Sequence, residues 1–302
     1  MKRTAFTFLL AALLAADALL QAEQRVTQPF LGISYTDRTE ASPRNIHMHV
    51  AQIDLTAPGI RFKLSPPSGP RETVRQTTAG FLAQEHAQLA INAHYFLPFP
   101  SADADAWLIG IAASEGRVYS AFESPEQDYA LVADAPGVNI DRQNHATVVH
   151  RRLRQGFGVQ GRLRQGNEAT QVEEPVTLWT TVSGSAQIVT GGEKTIPALA
   201  WYDAVQARTA IGLSQDGRTL TLFTVDKSGG SEGMTVGEVA DLLRRDFGVW
   251  NALNLDGGGS TSMALEDPVT HRPSLVNASS DRDPVAGRSV GSSLAVFARP
   301  NP

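Results

Sequence analysis

Asn254-Leu255-Asp256-Gly257-Gly258-Gly259-Ser260-Thr261-Ser262 lies between two largely apolar runs, Val249–Leu253 and Met263–Leu265. Three consecutive glycines are costly to order, because glycine loses more backbone freedom on folding than any other residue. A chain keeps them where the backbone takes positive φ or where another group approaches very closely. Here they follow a carboxylate at the end of a strand-like run and precede three hydroxyl side chains. Successive exposed N–H groups in such a turn can form a concave nest for an anion, with hydroxyls as further donors. A tight β-turn of small residues is the plainer reading. Asp256 and the Ser-Thr-Ser run favour a site.

Upstream, Val236, Val239, Ala240, Leu243 and Phe247 recur at helical spacing, Thr235 and Glu238 form a T-x-x-E capping box, and Gly248 is placed to end the helix. This helix feeds the strand that carries Asp256. Further out, Ile46–Asp54, Leu89–Asn92, Leu108–Ala113 and Tyr129–Ala133 read as strands, and Thr77 or Thr78 to Ala87 reads as a second helix. No Pro/Ser linker divides the chain, so one α+β domain over residues 23–302 is expected. Its expected core is a mixed, largely antiparallel twisted sheet flanked by a few helices.

Residues 1–22 read as an export signal. Lys2 and Arg3 form a basic start, Phe8–Ala16 is unbroken apolar chain, and Ala16-Asp17-Ala18 offers a cleavage site. That run is shorter than the roughly 20 residues that span a bilayer, and no other segment is apolar enough to insert. With no cysteine, the chain has neither disulfides nor thiolate metal ligands. A formal charge of −5 argues against a nucleic-acid partner, which demands a basic face. One near-repeat, Arg152-Leu153-Arg154-Gln155-Gly156 and Arg162-Leu163-Arg164-Gln165-Gly166, reads as a solvated basic hairpin, with attraction of an anionic glycan as the alternative.

The glycine run resembles the signature of the phosphodiester glycosidase family. Arg208-Thr209-Ala210-Ile211-Gly212 with Asp216-Gly217-Arg218 is similar to that family's arginine-bearing strand and hairpin. Val225-Asp226, Gly233-Met234-Thr235, and Asn277, Arg288 and Val290-Gly291 resemble later blocks. Ile91-Asn92-Ala93-His94-Tyr95-Phe96 sits where the family has an asparagine, two small residues and aromatics, and His94 departs from that pattern. The resemblance runs in order from about residue 45 to the C-terminus. It implies hydrolysis of a sugar-1-phosphodiester and a small-molecule or glycan substrate, and no cofactor is expected.

A phosphate monoester is already a good leaving group, so donors that neutralise its charge can replace strong general acid help beside one or two carboxylates. Asp256, Asp226 and His94 are therefore the candidate catalytic residues. Arg208, Asn92, Tyr95, Gly257, Gly258, Gly259, Ser260, Thr261 and Arg288 are the candidate substrate contacts, and Arg282 is a further anion contact. Each has a plainer alternative. Arg208 can pair with Asp203 or Asp226, Asp256 can cap its own turn, Asp226 can begin a loop, and His94 can be a packed histidine. The planar guanidinium of Arg208 suits a bidentate phosphate grip, and Tyr95-Phe96 suits stacking on a sugar. Asp103-Ala104-Asp105 lacks EF-hand spacing, and H-E-x-x-H, Walker and G-x-S-x-G motifs are missing from the sequence. With no histidine cluster recognised at ligand spacing, transition-metal catalysis is not expected, whereas a structural calcium stays open. Two other functions compete: a phosphodiesterase that breaks P–O, and a non-catalytic binder of anionic envelope glycan.

Overall fold

The computed structural model describes residues 23–121, 135–150, 162–163 and 176–302. The signal-like segment 1–22, the expected strand Tyr129–Ala133 and nearly all of the basic near-repeat lie outside the described residues. Of that repeat, Arg162–Leu163 is a short strand paired with Ala146–His150.

Parity along the strands builds the layers. In Ile46–Asp54, Met48 and Val50 pack on one side of an eight-stranded sheet with the helix Val236–Phe247, while Ala51 and Ile53 face the other way into the main core. In Leu89–Asn92, Leu89 and Ile91 enter that same core from a five-stranded sheet. Ala90 faces outward beneath the short helix Thr78–Glu85, with Phe81 and Leu82 above it. The result is helix, sheet, sheet, helix, with the largest apolar cluster between the sheets and a six-stranded sheet closing one side with Val138, Ile140 and Val182. Alternating side chains in half-buried strands dictate this two-sided arrangement.

Both helices form where local chemistry starts and stops them. Thr77 accepts from the Gly80 N–H at the first, which ends at His86 in the left-handed region. Thr235 and Glu238 close a reciprocal capping box at the second, which ends at Gly248 with φ 64°. The Arg208 hairpin also forms as read: Arg208–Ser214 pairs with Thr219–Val225 across a turn held by the Asp216 carboxylate.

Two expectations are corrected. The largely antiparallel pairing holds, but among the described residues every strand pairing is antiparallel and only two α-helices occur, so the fold is β-rich with several sheets rather than a mixed sheet in an α+β domain. The run Leu108–Ala113 is not one strand. It divides into Asp105–Leu108 and Ala112–Ser114 around Gly110, whose φ of 90° breaks the extended path. Among the described residues, no helix is long and apolar enough to cross a membrane.

Candidate active site

The two main sheets meet where their strands run out. Leu89–Asn92 leads into Ala93–Phe96, and Val249–Asn254 leads into the glycine loop. The Asp256 N–H donates to the Ala93 carbonyl at 3.1 Å, and the Leu255 N–H donates to the Thr209 carbonyl at 2.9 Å. Asn92, fully buried, fastens the seam. Its Nδ2 donates to the Asp256 carbonyl at 2.6 Å, and its Oδ1 accepts from the Thr209 hydroxyl and the Ser262 N–H, each at 2.9 Å. Asn92 thus positions the loop, and this amide is not free for the sugar contact expected of it.

Each glycine of the loop answers a different constraint. A Cβ on Gly257 would lie 2.9 Å from the Ala207 carbonyl oxygen, which accepts from the Gly258 N–H. Gly258 sits at φ 59°. A Cβ on Gly259 would lie 2.7 Å from the guanidinium carbon of Arg288. The anion nest is only partly realised, because the N–H groups of Gly258, Ser260 and Thr261 already donate to backbone carbonyls within or beside the loop. Thr261 is buried, its Oγ1 lying 3.4 Å from the Thr209 hydroxyl oxygen.

What the loop does present is a carboxyl with chosen neighbours. Asp256 is half-buried, and burial pushes its pKa up to about 7 against the opposing pull of the Ser260 hydroxyl, Arg288 and the Gly257 N–H. Arg288 donates through Nη1 to Ser260 Oγ at 3.2 Å and lies over the Phe99 ring at 4.8 Å. Its other edge is gripped by both oxygens of Asp281, at 3.1 and 3.2 Å. On the far side, Tyr95 Oη accepts from Asn254 Nδ2 at 3.0 Å, and its ring meets Trp201 edge-on at 6.1 Å. Burial and the Asp256 charge both raise the pKa of Tyr95, keeping a neutral O–H donor. Trp201 Nε1 and Asn254 Oδ1 are buried without protein partners.

The structure therefore brings together Asp256, Gly257, Gly258, Gly259, Ser260, Arg288 and Tyr95. It adds Asp281, Trp201 and Asn254; Asn254 stands first in the quoted signature, where no site role was assigned to it. Three expected residues stand elsewhere. Arg208 is buried, with Nε donating to the Met234 carbonyl and Nη2 to those of Trp201 and Ala204, so its guanidinium is tied to backbone rather than open to phosphate. His94 is fully buried and held neutral, its pKa pushed down to about 4 by burial. Its Nδ1 meets Ser292 Oγ at 2.9 Å and its Nε2 accepts from the Ser183 N–H at 3.0 Å, which makes it a packing knot rather than a proton carrier. The Asp226 carboxylate turns toward His47 and His49, not the loop. Arg282 is exposed beside Asp281.

A family model described as phosphodiester glycosidase matches residues 85–297, which include the whole seam. The chain belongs to the phosphodiester glycosidase family. Within that family, the chain is 39% identical over 74 residues to N-acetylglucosamine-1-phosphodiester alpha-N-acetylglucosaminidase of mouse, a match covering 24% of this chain and 14% of the mouse protein. The fold is similar to the catalytic domain of the zebrafish enzyme of that name, auto-inhibited by its pro-peptide. The TM-score is 0.61 with 21% identity, over 94% of this chain and 91% of that one. It is also similar to a protein of Burkholderia pseudomallei described as exported, with TM-score 0.59 and 16% identity, over 87% of this chain and 76% of that one.

Gly259→Ala tests the arrangement. The added methyl meets the end of a flexible arginine, so the variant is expected to fold with a Tm within a few degrees of the wild type. Arg288 must swing off Ser260 and away from Asp256. Loss of a charge-assisted contact of about 1.5–3 kcal/mol corresponds to a roughly 10- to 150-fold lower kcat/KM. Unchanged kinetics would show that Arg288 does not act from this position.

Proposed function

We propose that the chain is an exported hydrolase that cleaves the glycosyl C–O bond of a sugar-1-phosphodiester, releasing free sugar and a phosphomonoester in cell-envelope or exopolysaccharide metabolism. The observation that carries this reading is Asp256: a carboxyl with a pKa near neutrality, set between Ser260 with Arg288 on one side and the Tyr95–Trp201 edge on the other. A carboxylate at the anomeric centre can attack it or activate water. Arg288 stands where it can neutralise the departing phosphate. The half-buried rings of Tyr95 and Trp201 present an aromatic edge that suits a sugar ring. Family membership supports the reaction class. The basic and apolar start of the sequence and the exported Burkholderia neighbour support export.

The bond broken identifies the reaction. With a panel of glycosyl phosphodiesters in ¹⁸O-labelled water, the label is expected on the sugar C1 hydroxyl, with the released phosphomonoester unlabelled. Label in the phosphate would mean attack at phosphorus and would overturn the glycosidase reading. Tight glycan binding with no product from any member of the panel would favour the binding function.

A further inference from the structure

On the core face of the eight-stranded sheet, beside the seam, four side chains converge. His47 and His49 stand two residues apart on Ile46–Asp54 and so point to the same face. The strand Ile33–Glu40 pairs Asp37 opposite His49, and Thr219–Val225 leads Asp226 to a position beside His47. Ligand atoms of Asp37, His47 and His49 all lie within 4.8 Å of one another. Asp226 Oδ2 lies 3.6 Å from His47 Nδ1 and 3.5 Å from His49 Nε2, too long for good hydrogen bonds.

Two of these groups are buried with polar atoms unanswered. His49 is 1% exposed and its Nε2 has no hydrogen-bond partner; Asp226 is 0% exposed and its Oδ1 has none. Burying a carboxylate oxygen and a ring nitrogen unpaired is unfavourable, and such atoms ordinarily find a partner. The two separations between Asp226 Oδ2 and the histidine nitrogens, 3.6 and 3.5 Å, are of the length found between two ligands of one metal. Two ligand atoms that each lie about 2.0–2.1 Å from a tetrahedral zinc are about 3.4 Å apart.

The outward nitrogens complete the pattern. His49 Nδ1 meets Tyr35 Oη at 2.8 Å, so a proton on Nδ1 leaves the Nε2 lone pair facing inward. His47 Nε2 donates to Asp37 Oδ1 at 2.6 Å, so its Nδ1 lone pair faces Asp226. Metal-bound histidines are oriented in this way by a carboxylate or hydroxyl on the opposite nitrogen.

We propose that His47, His49 and Asp226 bind a divalent transition-metal cation of the zinc class, with Asp37 and Tyr35 holding the two imidazoles. The cation neutralises the buried Asp226 carboxylate. Asp226 also accepts from the Ala278 N–H at 2.9 Å, and the adjoining Asn277 grips the Thr261 carbonyl and the Met263 N–H. The site therefore ties the ends of three interior strands to the segment that backs the glycine loop. This corrects the expectation of no histidine cluster: the signal was His47-Met48-His49, an H-x-H pair on one strand face.

The test uses the full chain, stripped with EDTA and dialysed, then titrated with Zn²⁺ against a chromogenic chelator and separately with Co²⁺. One Zn²⁺ per chain is expected, with a visible Co²⁺ absorption band of the tetrahedral type and a raised Tm on loading. His47→Gln is expected to weaken Zn²⁺ binding by at least about 100-fold, and Asp37→Asn by about 10- to 100-fold. Both residues are part-exposed, so both variants are expected to fold where a change at His49 can fail. If the stripped, folded wild type takes up no stoichiometric Zn²⁺, the cluster is only a histidine–carboxylate ion pair and the proposal is overturned. If His47→Gln binds as tightly as the wild type, the metal sits elsewhere and the proposal is equally overturned.

Discussion

Asp256→Asn is expected to lower kcat/KM for a glycosyl phosphodiester by at least about 100-fold, the lower end of what a positioned acid or base contributes. The fold should survive, because the loop is held by backbone bonds to Ala93 and Asn92 that the substitution leaves alone. Burial raises the pKa of Asp256 to about 7, so its ionised form is the one the folded state disfavours. The sign follows by linkage. Its contribution to stability is fully present below the ordinary Asp pKa of about 3.9 and is lost as pH rises through about 7. Replacing it with asparagine should remove that decline, so at pH 8 the variant should be no less stable than the wild type. If the carboxylate form attacks or acts as base, wild-type kcat/KM should climb as pH rises through about 7, and the variant should lack that limb. A falling limb at the same pH would make Asp256 the proton donor instead. Near-normal turnover in Asp256→Asn would remove it from the chemistry altogether.

Arg208→Lys should behave in the opposite way. A lysine can satisfy only part of what the guanidinium gives to the carbonyls of Met234, Trp201 and Ala204. Charge-assisted bonds of this kind contribute about 1.5–3 kcal/mol each, and the orphaned carbonyls are buried. Losing the equivalent of two therefore costs about 3 kcal/mol or more, a shift of at least roughly 6–12 °C in Tm for a domain of this size. Thermal unfolding followed by circular dichroism checks this. At a temperature well below the lowered Tm, KM for the phosphodiester should stay close to the wild-type value. An unchanged Tm with turnover lost would return Arg208 to the phosphate-binding role that its residue type suggests.

Local signals in the sequence carried far, and long-range ones did not. The capping box at Thr235, the strands Ile46–Asp54 and Leu89–Asn92 and the Arg208 hairpin depend on neighbours a few residues away, and their periodicity and turn chemistry could be read directly. The loop around Asp256 was legible because three glycines in a row need a reason. Arg208, Asn92 and His94 are chemically suited to substrate, but what they touch depends on which carbonyls and hydroxyls the tertiary fold brings up. Asn92 meets Asp256 across 164 positions of chain, and His94 meets Ser292 across 198. No periodicity predicts such pairings. Asp281, likewise, acquires its place only through Arg288. The histidine pair was readable as H-x-H on a strand, but Asp37 and Asp226 join it only once the register of three antiparallel strands is known.

The seam between the sheets has a consequence for folding. Asn92, Thr209, Asp256 and Ser262 reach one another only after both sheets and their connection are built. Contacts so distant along the chain close late, because loop entropy must be overcome before they reward the chain. A partly folded molecule with either sheet formed alone would carry the signature residues yet have no competent centre. Any ligand that grips the loop also clasps one half of the sandwich to the other, so substrate should resist global unfolding as well as occupy the site. In this protein the residue that presents the candidate carboxyl is also fastened through its own backbone, so the candidate site is completed together with the finished architecture.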